Sequence, residues 1–571
     1  MDTKSTALPP WAESAREVFR AGTLSQFVLH GNVRDLVHAG EGRYLSLHDF
    51  LGDVLFGRFD LVVTFNTGSG LRISKGQEHF SAFQKILSEW TAFSSQALPR
   101  DIVSSLELLD RLLTYSLCRT VVEGGKAVRK PLKTAIVLDF VQYIAPSQSR
   151  GPDSATLVKL LDWSSNPTYL DGHLATVLIT DSLNAVSRDL VENPYSAKIE
   201  IPLPGESDCL EYLGSLSREF PGVEKVSSLS LEVLAQRVVG LTLINIRHMM
   251  ALAVTSGRAV DNDYLAQRRK ELIEKECFGL LEFVESKRTL ADVAGHTAAI
   301  EWLRADAKLI SRGETRCLPM GYLLAGRIGT GKTWLTNCWA GEVGIPFVIF
   351  KNFRDKWAGA TESNLEKILA VLKALGQVIV FVDEADQMAG KRGGSSTDGG
   401  LSGRIYGMLA KAMSNTDNRG KIFWVFATSR PDLLEVDLKR PGRLDVHIPL
   451  FPPQTPEERQ QLFRAMTRKV GLQPEDIPEL PEDCSLSGNE MEALLVRAIR
   501  VQALEGGELP EVIAEQLSLF RPMAHLDHLE YMDLVAVKEC TDESFLPANY
   551  RKMELSELNA RLQYLEQVLR L

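Results

Sequence analysis

Short, unbroken apolar runs set the rhythm of the second half of this chain. They are Gly321-Tyr322-Leu323-Leu324-Ala325, Pro346-Phe347-Val348-Ile349-Phe350, Val378-Ile379-Val380-Phe381-Val382, Ile422-Phe423-Trp424-Val425-Phe426-Ala427-Thr428 and His447-Ile448-Pro449-Leu450. Helical stretches separate them, the clearest running from Trp334 to Glu342. Continuous β-branched and aromatic runs alternating with helices predict a parallel sheet covered on both faces. Ligands of such a sheet sit beyond the carboxyl ends of its strands. Lys332, Asp383 and Glu384 all fall at those ends.

The first half carries an echo of the same pattern. Ala135-Ile136-Val137-Leu138-Asp139-Phe140 resembles the run that ends at Asp383, with Phe140 in the place of Glu384, and the run from Leu174 to Asp181 resembles the one that ends at Thr428. Thr428 and Thr180 differ by 428 − 180 = 248, Pro452 and Pro204 by 452 − 204 = 248, and Gly488 and Gly240 by 488 − 240 = 248. Three landmarks in one register predict an internal duplication.

Composition changes this picture little. At 571 residues the chain is too long for one core. No apolar run reaches the ~18 residues of a membrane span, and the start, Met1-Asp2-Thr3-Lys4-Ser5, lacks a signal-peptide core. The seven cysteines form no C-x-x-C, so neither a metal site nor a disulfide framework is expected, and the cytoplasm is the expected compartment. A formal charge of −10 disfavours nucleic acid as a partner.

The chemistry is concentrated at Gly326-Arg327-Ile328-Gly329-Thr330-Gly331-Lys332-Thr333, which follows the first apolar run directly. This is G-x-x-x-x-G-K-T between a strand and a helix, the setting a phosphate-binding loop requires. Its glycines let backbone N–H groups approach phosphates, and the helix that follows presents its positive end. Lys332 can reach the β- and γ-phosphates of ATP, and the Thr333 hydroxyl can ligate Mg²⁺. About fifty residues on, Asp383 is placed to support the metal and Glu384 to polarise the attacking water. Leu438-Lys439-Arg440-Pro441-Gly442-Arg443-Leu444-Asp445 holds two arginines three apart. They are either an ordinary surface turn or arginine fingers acting on a neighbouring subunit's γ-phosphate.

The order of these motifs, with Ala427-Thr428-Ser429-Arg430-Pro431-Asp432 between the acidic pair and the arginines, resembles the AAA family ATPases of the AAA+ superfamily over about 285–500. The resemblance implies an α/β fold, a P-loop NTPase sheet with a helical lid, and a ring, expected as a hexamer, that remodels a protein substrate. By the same resemblance, Asp292-Val293-Ala294-Gly295 would flank the adenine through Val293 and Gly295, and Trp334 would continue the nucleotide contacts. Ser429 would sense the γ-phosphate, Gly488 would begin the lid helix that faces the nucleotide, and Lys356, Trp357 and Ala358 would form a substrate-gripping pore loop. Trp357 could instead be a core aromatic. Two departures stand out: Ser429 where the family usually has Asn, and Arg327-Ile328 where two prolines are common.

No second G-x-x-x-x-G-K-T occurs before residue 135, so the first half resembles a degenerate ATPase-like α/β domain. The nearest glycine turn there follows Leu61–Asn66 and lacks the lysine. The expected division is a tail at 1–11, the degenerate domain at 12–262, a charged helical linker at 263–288, the ATPase large domain at 289–452, the lid at 453–530 and a C-terminal helical extension at 531–571. The tandem arrangement also resembles, more weakly, a group of AAA-type ATPases of cyanobacteria and chloroplast genomes. Two rivals to ATP-driven remodelling are a slow regulatory switch and, less favoured, a nucleic-acid motor.

Overall fold

The computed structural model describes residues 8–90, 98–123, 126–147, 154–171, 174–219, 227, 229–277, 279–286, 288–351, 361–388, 401–473, 477–481, 486–520 and 525–570. The expected pore loop, Lys356-Trp357-Ala358, and the glycine-rich stretch Gly390–Gly400 lie outside them. The chain divides into two compact units, one of Met1–Glu276 with Glu362–Ala374, the other of Cys277–Thr361 with Leu375–Leu571. Asn262–Glu276, at the end of the first stretch, is helical.

The first unit holds β1 (Gln26–Gly31), β2 (Leu36–His38), β3 (Tyr44–Ser46), β4 (Leu61–Asn66), β5 (Gly70–Lys75), β6 (Thr120–Glu123), β7 (Lys126–Arg129), β8 (Thr134–Leu138), β9 (Ala175–Ile179) and β10 (Ser196–Ile201). The second holds β11 (Leu281–Val284), β12 (Gly321–Ala325), β13 (Phe347–Phe350), β14 (Val378–Val382), β15 (Ile422–Thr428) and β16 (Val446–Pro449). Strands β2–β3 and β6–β7 are separate small hairpins.

The two main sheets are six-stranded and share one plan. The first runs β10-β1-β9-β8-β4-β5, the second β16-β12-β15-β14-β13-β11. In each, five strands are parallel and the last is an antiparallel edge. The central strands are buried along their whole length, from β8 and β9 to β12, β14 and β15. That explains why apolar residues run on in them without alternating.

The shared plan refines the duplication. Strand β1, not β4, takes the place of β12, the strand that feeds the phosphate loop. The glycine turn after Leu61–Asn66 is the tip of the β4–β5 hairpin. The constant offset also breaks at the helices. Thr242 caps Leu243–Ser256 and Ser487 caps Gly488–Glu505, a difference of 487 − 242 = 245. Gly240 sits ahead of its helix with φ of 91°, whereas Gly488 is the first residue of its own.

Separate cores cover the second unit. Trp339, Tyr322, Phe423 and Phe381 fill one face of its sheet. Phe463, Met491, Leu494 and Ile513 form the core of the helical lid. In the helix Leu555–Leu569, Leu558, Leu562 and Leu565 form a buried stripe. These pack on Leu526–Glu539 and on Phe451 beyond β16, rather than in the lid core.

Candidate functional site

The phosphate loop leaves β12 at Gly326, where the chain passes against the end of the neighbouring strand. A Cβ on Gly326 would lie 2.2 Å from the Leu450 carbonyl oxygen, so only glycine fits. Gly329 has φ of 87°, and a Cβ there would meet Ser487 Cβ at 3.3 Å. The loop therefore abuts the start of the lid helix, where Ser487 caps Gly488–Glu505 together with Glu490. Gly488 thus stands beside the loop, 3.9 Å from the Gly329 carbonyl oxygen as measured from an ideal Cβ.

Lys332 opens the helix Lys332–Val343 and folds over the loop. Its Nζ donates to the carbonyl oxygens of Gly326 (2.7 Å) and Arg327 (3.1 Å). Burial pushes the amine down to about 8, against the raising pull of Asp383, Asp386 and Asp533. A partly desolvated ammonium on a glycine loop suits a polyanion. Thr333 Oγ1 lies 3.3 Å from Asp383 Oδ2, which brings together the two groups expected to hold Mg²⁺. The residues fit the ion: a hydroxyl and a carboxylate are the hard oxygen donors it takes, and it binds through few protein ligands plus phosphates. Thr330 donates its hydroxyl to Arg327 O (2.9 Å) and is buried, while Ile328 is exposed.

Asp383 Oδ1 accepts from the Glu384 N–H at 2.9 Å, and Glu384 takes a left-handed φ of 47°. Both side chains are exposed at the end of β14. Ser429 follows β15 and is half-buried. Its neighbour Thr428 donates to Asp386 and accepts from the Arg430 N–H, pinning this turn to the acidic segment. On the other side of the loop, Trp334 Nε1 donates to Asp292 O (3.4 Å), and the Arg288 guanidinium lies 4.6 Å over the Trp334 ring. Val293 and Gly295 follow, half-buried, and His296 Nε2 bonds Thr330 O at 2.9 Å. Lys332, Thr333, Asp383, Val293, Gly295 and Gly488 are thus brought around one loop.

Arg440 and Arg443 differ. Arg440 is 68% exposed, with Asp437 at 3.1 Å. Arg443 is 20% exposed and is held by Asp437, through both its carbonyl oxygen and its carboxylate. Arg440 is thus the more exposed of the two.

In the first unit the same strand ends are bound together by the chain itself. After β1, Arg34 Nη1 donates to both oxygens of Asp139 (2.8 and 2.9 Å), and its Nε donates to Asp181 (3.0 Å). The guanidinium lies 3.8 Å from the Phe140 ring centroid, and His48 Nε2 is 3.1 Å from Asp139. Burial disfavours the Asp139 carboxylate, but hydrogen bonding from His48 and the charge of Arg34 outweigh it and hold its pKa below the ordinary value. Next in the chain, Asp35 accepts from the N–H groups of Leu243 (2.8 Å) and Ile244 (3.0 Å), at the start of Leu243–Ser256. Phe140 matches Glu384 in backbone, with φ of 55° and its N–H on Asp139 Oδ1 at 2.7 Å. Sequence reading missed Arg34 and Asp35 because they belong to no motif. The signal lay in their place after an apolar run, once that run is matched to β12.

Fold and site together define a P-loop nucleotide-binding protein. The comparisons carry this to the family. Residues 322–451 match "ATPase family associated with various cellular activities (AAA)". Residues 2–202 match "AAA+ chaperone, N-terminal Rossmann-like domain", and residues 210–278 match "AAA+ chaperone, second helical domain". Residues 322–451 are thus an AAA ATPase domain, set behind AAA+ chaperone domains in a tandem architecture whose first domain is degenerate. It is 24% identical over 438 residues to the peroxisomal ATPase PEX6 of Dictyostelium discoideum, covering 66% of this chain and 36% of that one. Against human peroxisomal ATPase PEX6 it is 28% identical over 376 residues, 58% of this chain and 37% of the relative. Against protein SAV of Sulfolobus acidocaldarius it is 35% identical over 213 residues, 36% of this chain and 26% of the relative. The chain therefore spans well under half the length of these relatives.

Proposed function

We propose that the second unit binds and hydrolyses ATP with Mg²⁺, and that copies of the chain form a ring, a hexamer by family, that remodels a protein substrate in the cytoplasm. The observation that carries this reading is the meeting of Lys332, Thr333 and Asp383 on one glycine loop, with Thr333 Oγ1 3.3 Å from Asp383 Oδ2. Family membership and relatives named as ATPases support it. Thr333 and Asp383 would hold Mg²⁺, which when bound offsets charge on the β- and γ-phosphates. Lys332 exchanges its loop carbonyls for phosphate oxygens, Glu384 orients and polarises water, and Ser429 senses the γ-phosphate from the end of β15. Arg440 reaches a neighbouring subunit's site, with Arg443 fixing the loop that carries it. The large domain at 289–452 and the lid at 453–530 close on the nucleotide through Gly488. The first domain, its strand ends bound by Arg34 and Asp35, serves assembly or substrate docking rather than hydrolysis. A slower, switch-like ATPase is the second reading, favoured by Ser429, whose single hydroxyl reaches less far than an amide.

Steady-state ATP turnover tests the reading. Lys332→Ala should lose nucleotide binding, and Glu384→Gln should lose turnover at least ~100-fold while keeping nucleotide bound. Undiminished hydrolysis in either variant would sink the assignment. Turnover that rises with a protein captured on Glu384→Gln in ATP separates a remodeller from a switch, which would hydrolyse slowly whatever is added. Stimulation by DNA or RNA instead would restore the nucleic-acid motor.

A further inference from the structure

The C-terminal helix Leu526–Glu539 touches three segments of the candidate site. Asp533 Oδ2 lies 3.8 Å from Arg327 Nη1 in the phosphate loop, and the two side chains are only 8% and 17% exposed. Two residues earlier, the Tyr531 ring lies under the Arg430 guanidinium (4.9 Å), and its hydroxyl stands between the carboxylates of Glu566 (3.2 Å) and Asp432 (3.4 Å), the latter just past Ser429. At the end of the helix, Glu539 pairs with Lys439, the residue before Arg440, and its carbonyl oxygen lies 2.8 Å from His447 Nδ1 on β16.

Asp533 is costly where it stands. Its neighbours Leu534, Val535, Ala536 and Val537 are buried and apolar. Its other oxygen, Oδ1, is buried with no hydrogen-bond partner among the described residues. A residue kept only for packing at such a position would be apolar, because an unsatisfied buried carboxylate opposes folding. The remaining reason for a charge here is the charge opposite. Arg327 occupies a position where a proline would fix the loop's φ; its carbonyl oxygen is held within the loop by Thr330 and Lys332, and its side chain ties the loop to Asp533 outside it. Burial pushes the Asp533 carboxyl up to about 6, the direction expected of a group whose partner only partly repays its desolvation.

We propose that Asp533 is a positioning residue of the nucleotide site, which fixes the guanidinium of Arg327 and through it the phosphate loop, so that the C-terminal helix sets how tightly the loop holds nucleotide. This rests on the reading of the second unit as an ATPase. With Asp533 neutralised, the charge of Arg327 stands uncompensated within the loop that binds phosphates. Nucleotide then binds more tightly and product leaves more slowly. With Arg327 neutralised, the carboxylate stands alone and repels phosphate.

The test is a double-mutant cycle on the full chain, reading kcat, KM for ATP, affinity for a fluorescent ADP analogue and Tm. Asp533→Asn should lower KM and kcat together by about fivefold, near the low end of coupling between linked sites, with Tm unchanged or raised. Arg327→Gln should raise KM, and the double variant should return KM towards wild type. Asp533→Glu, which keeps the charge, should keep the wild-type KM. A merely structural Asp533 would instead lower Tm and cut activity in proportion, and that result would overturn the proposal. So would wild-type KM and kcat in Asp533→Asn when Lys332→Ala has lost nucleotide binding. Undisturbed nucleotide binding in Lys332→Ala would overturn the ATPase reading, and this inference with it.

Discussion

Replacing Arg34 with methionine should loosen the first domain at the strand ends where its sheet mirrors the nucleotide site. The methionine keeps the stem against Phe140 and removes the guanidinium. Asp139, whose side chain is 4% exposed, then keeps His48 and the Phe140 N–H, and Asp181 loses the Arg34 Nε donor at 3.0 Å. Breaking a buried pair from one side costs about 3–5 kcal/mol. The Arg34 side chain is 37% exposed, so water screens part of the interaction and about 2–3 kcal/mol is the working figure. The sign holds at neutral pH. Asp139 has its folded pKa depressed, so the stability it contributes is present above the unfolded value and is lost only as pH falls through the folded one. Amide exchange of Thr134–Leu138 in the full-length protein reads the effect. If those amides exchange through an opening that breaks the pair, 2–3 kcal/mol accelerates them about 30- to 150-fold. Adding Asp139→Asn removes the stranded charge and should recover most of the loss. Unchanged exchange across Thr134–Leu138, or a double variant no better than the single, would refute the claim that this ion pair holds the strand ends together.

Asp35→Ala should raise exchange at the start of Leu243–Ser256 by an amount equivalent to about 1–2 kcal/mol, because two helix N–H groups lose a carboxylate cap. Arg440→Ala should bind nucleotide as the wild type does and hydrolyse it at least ~1000-fold more slowly, with activity partly restored by mixing with Glu384→Gln subunits whose arginines are intact. Asp533 has a folded pKa near 6, above the ~3.9 of an unfolded aspartate. Its stabilising contribution is therefore full below pH ~4 and lost, by up to ~3 kcal/mol, as pH rises through 6. Arg327, Glu530, Lys332 and Tyr550 are the charged and titratable groups around it. The Tm advantage of Asp533→Asn over wild type should grow between pH 4 and 7, and a constant difference would contradict it.

The fold was legible where the chemistry of one residue is decided by its immediate neighbours along the chain. Buried parallel strands need unbroken apolar runs, so β12, β14 and β15 could be placed to within a residue or two. The phosphate loop declares itself because a strand, four free positions, Gly331, Lys332 and Thr333 must follow in order. What stayed hidden depends on partners distant in sequence. Arg34 meets Asp139 across 105 residues, Asp35 meets Leu243 across 208, and Arg327 meets Asp533 across 533 − 327 = 206. Each is an ordinary charged residue on a turn or helix, and only the sheet order says what it faces. The same limit misled the comparison of the halves. The glycine turn after Leu61–Asn66 looked like a decayed loop because it follows a strand, yet that strand sits in the place of β13 rather than β12.

The two sheets set one architectural problem and answer it twice. At the end of β12 the loop is built of glycines, its lysine is partly desolvated, and the groups that meet there are a cation, a hydroxyl and acidic residues facing a site for phosphates. At the end of β1 the corresponding positions are joined by side chains of the chain itself. A guanidinium sits on the carboxylate that matches Asp383, and a carboxylate sits on the N–H groups of the helix that matches the lid. The pair Arg34-Asp35 thus supplies, from the chain itself, a positive charge to the carboxylate that matches Asp383 and a negative charge to the start of the helix that matches Gly488–Glu505. A domain held in that way gains nothing further by binding nucleotide, because the donors and acceptors that would reward it are already paired. Under the proposed function it would be free of any opening and closing that hydrolysis imposes on the second unit, which is the physical ground for proposing a steady role for it in assembly or docking.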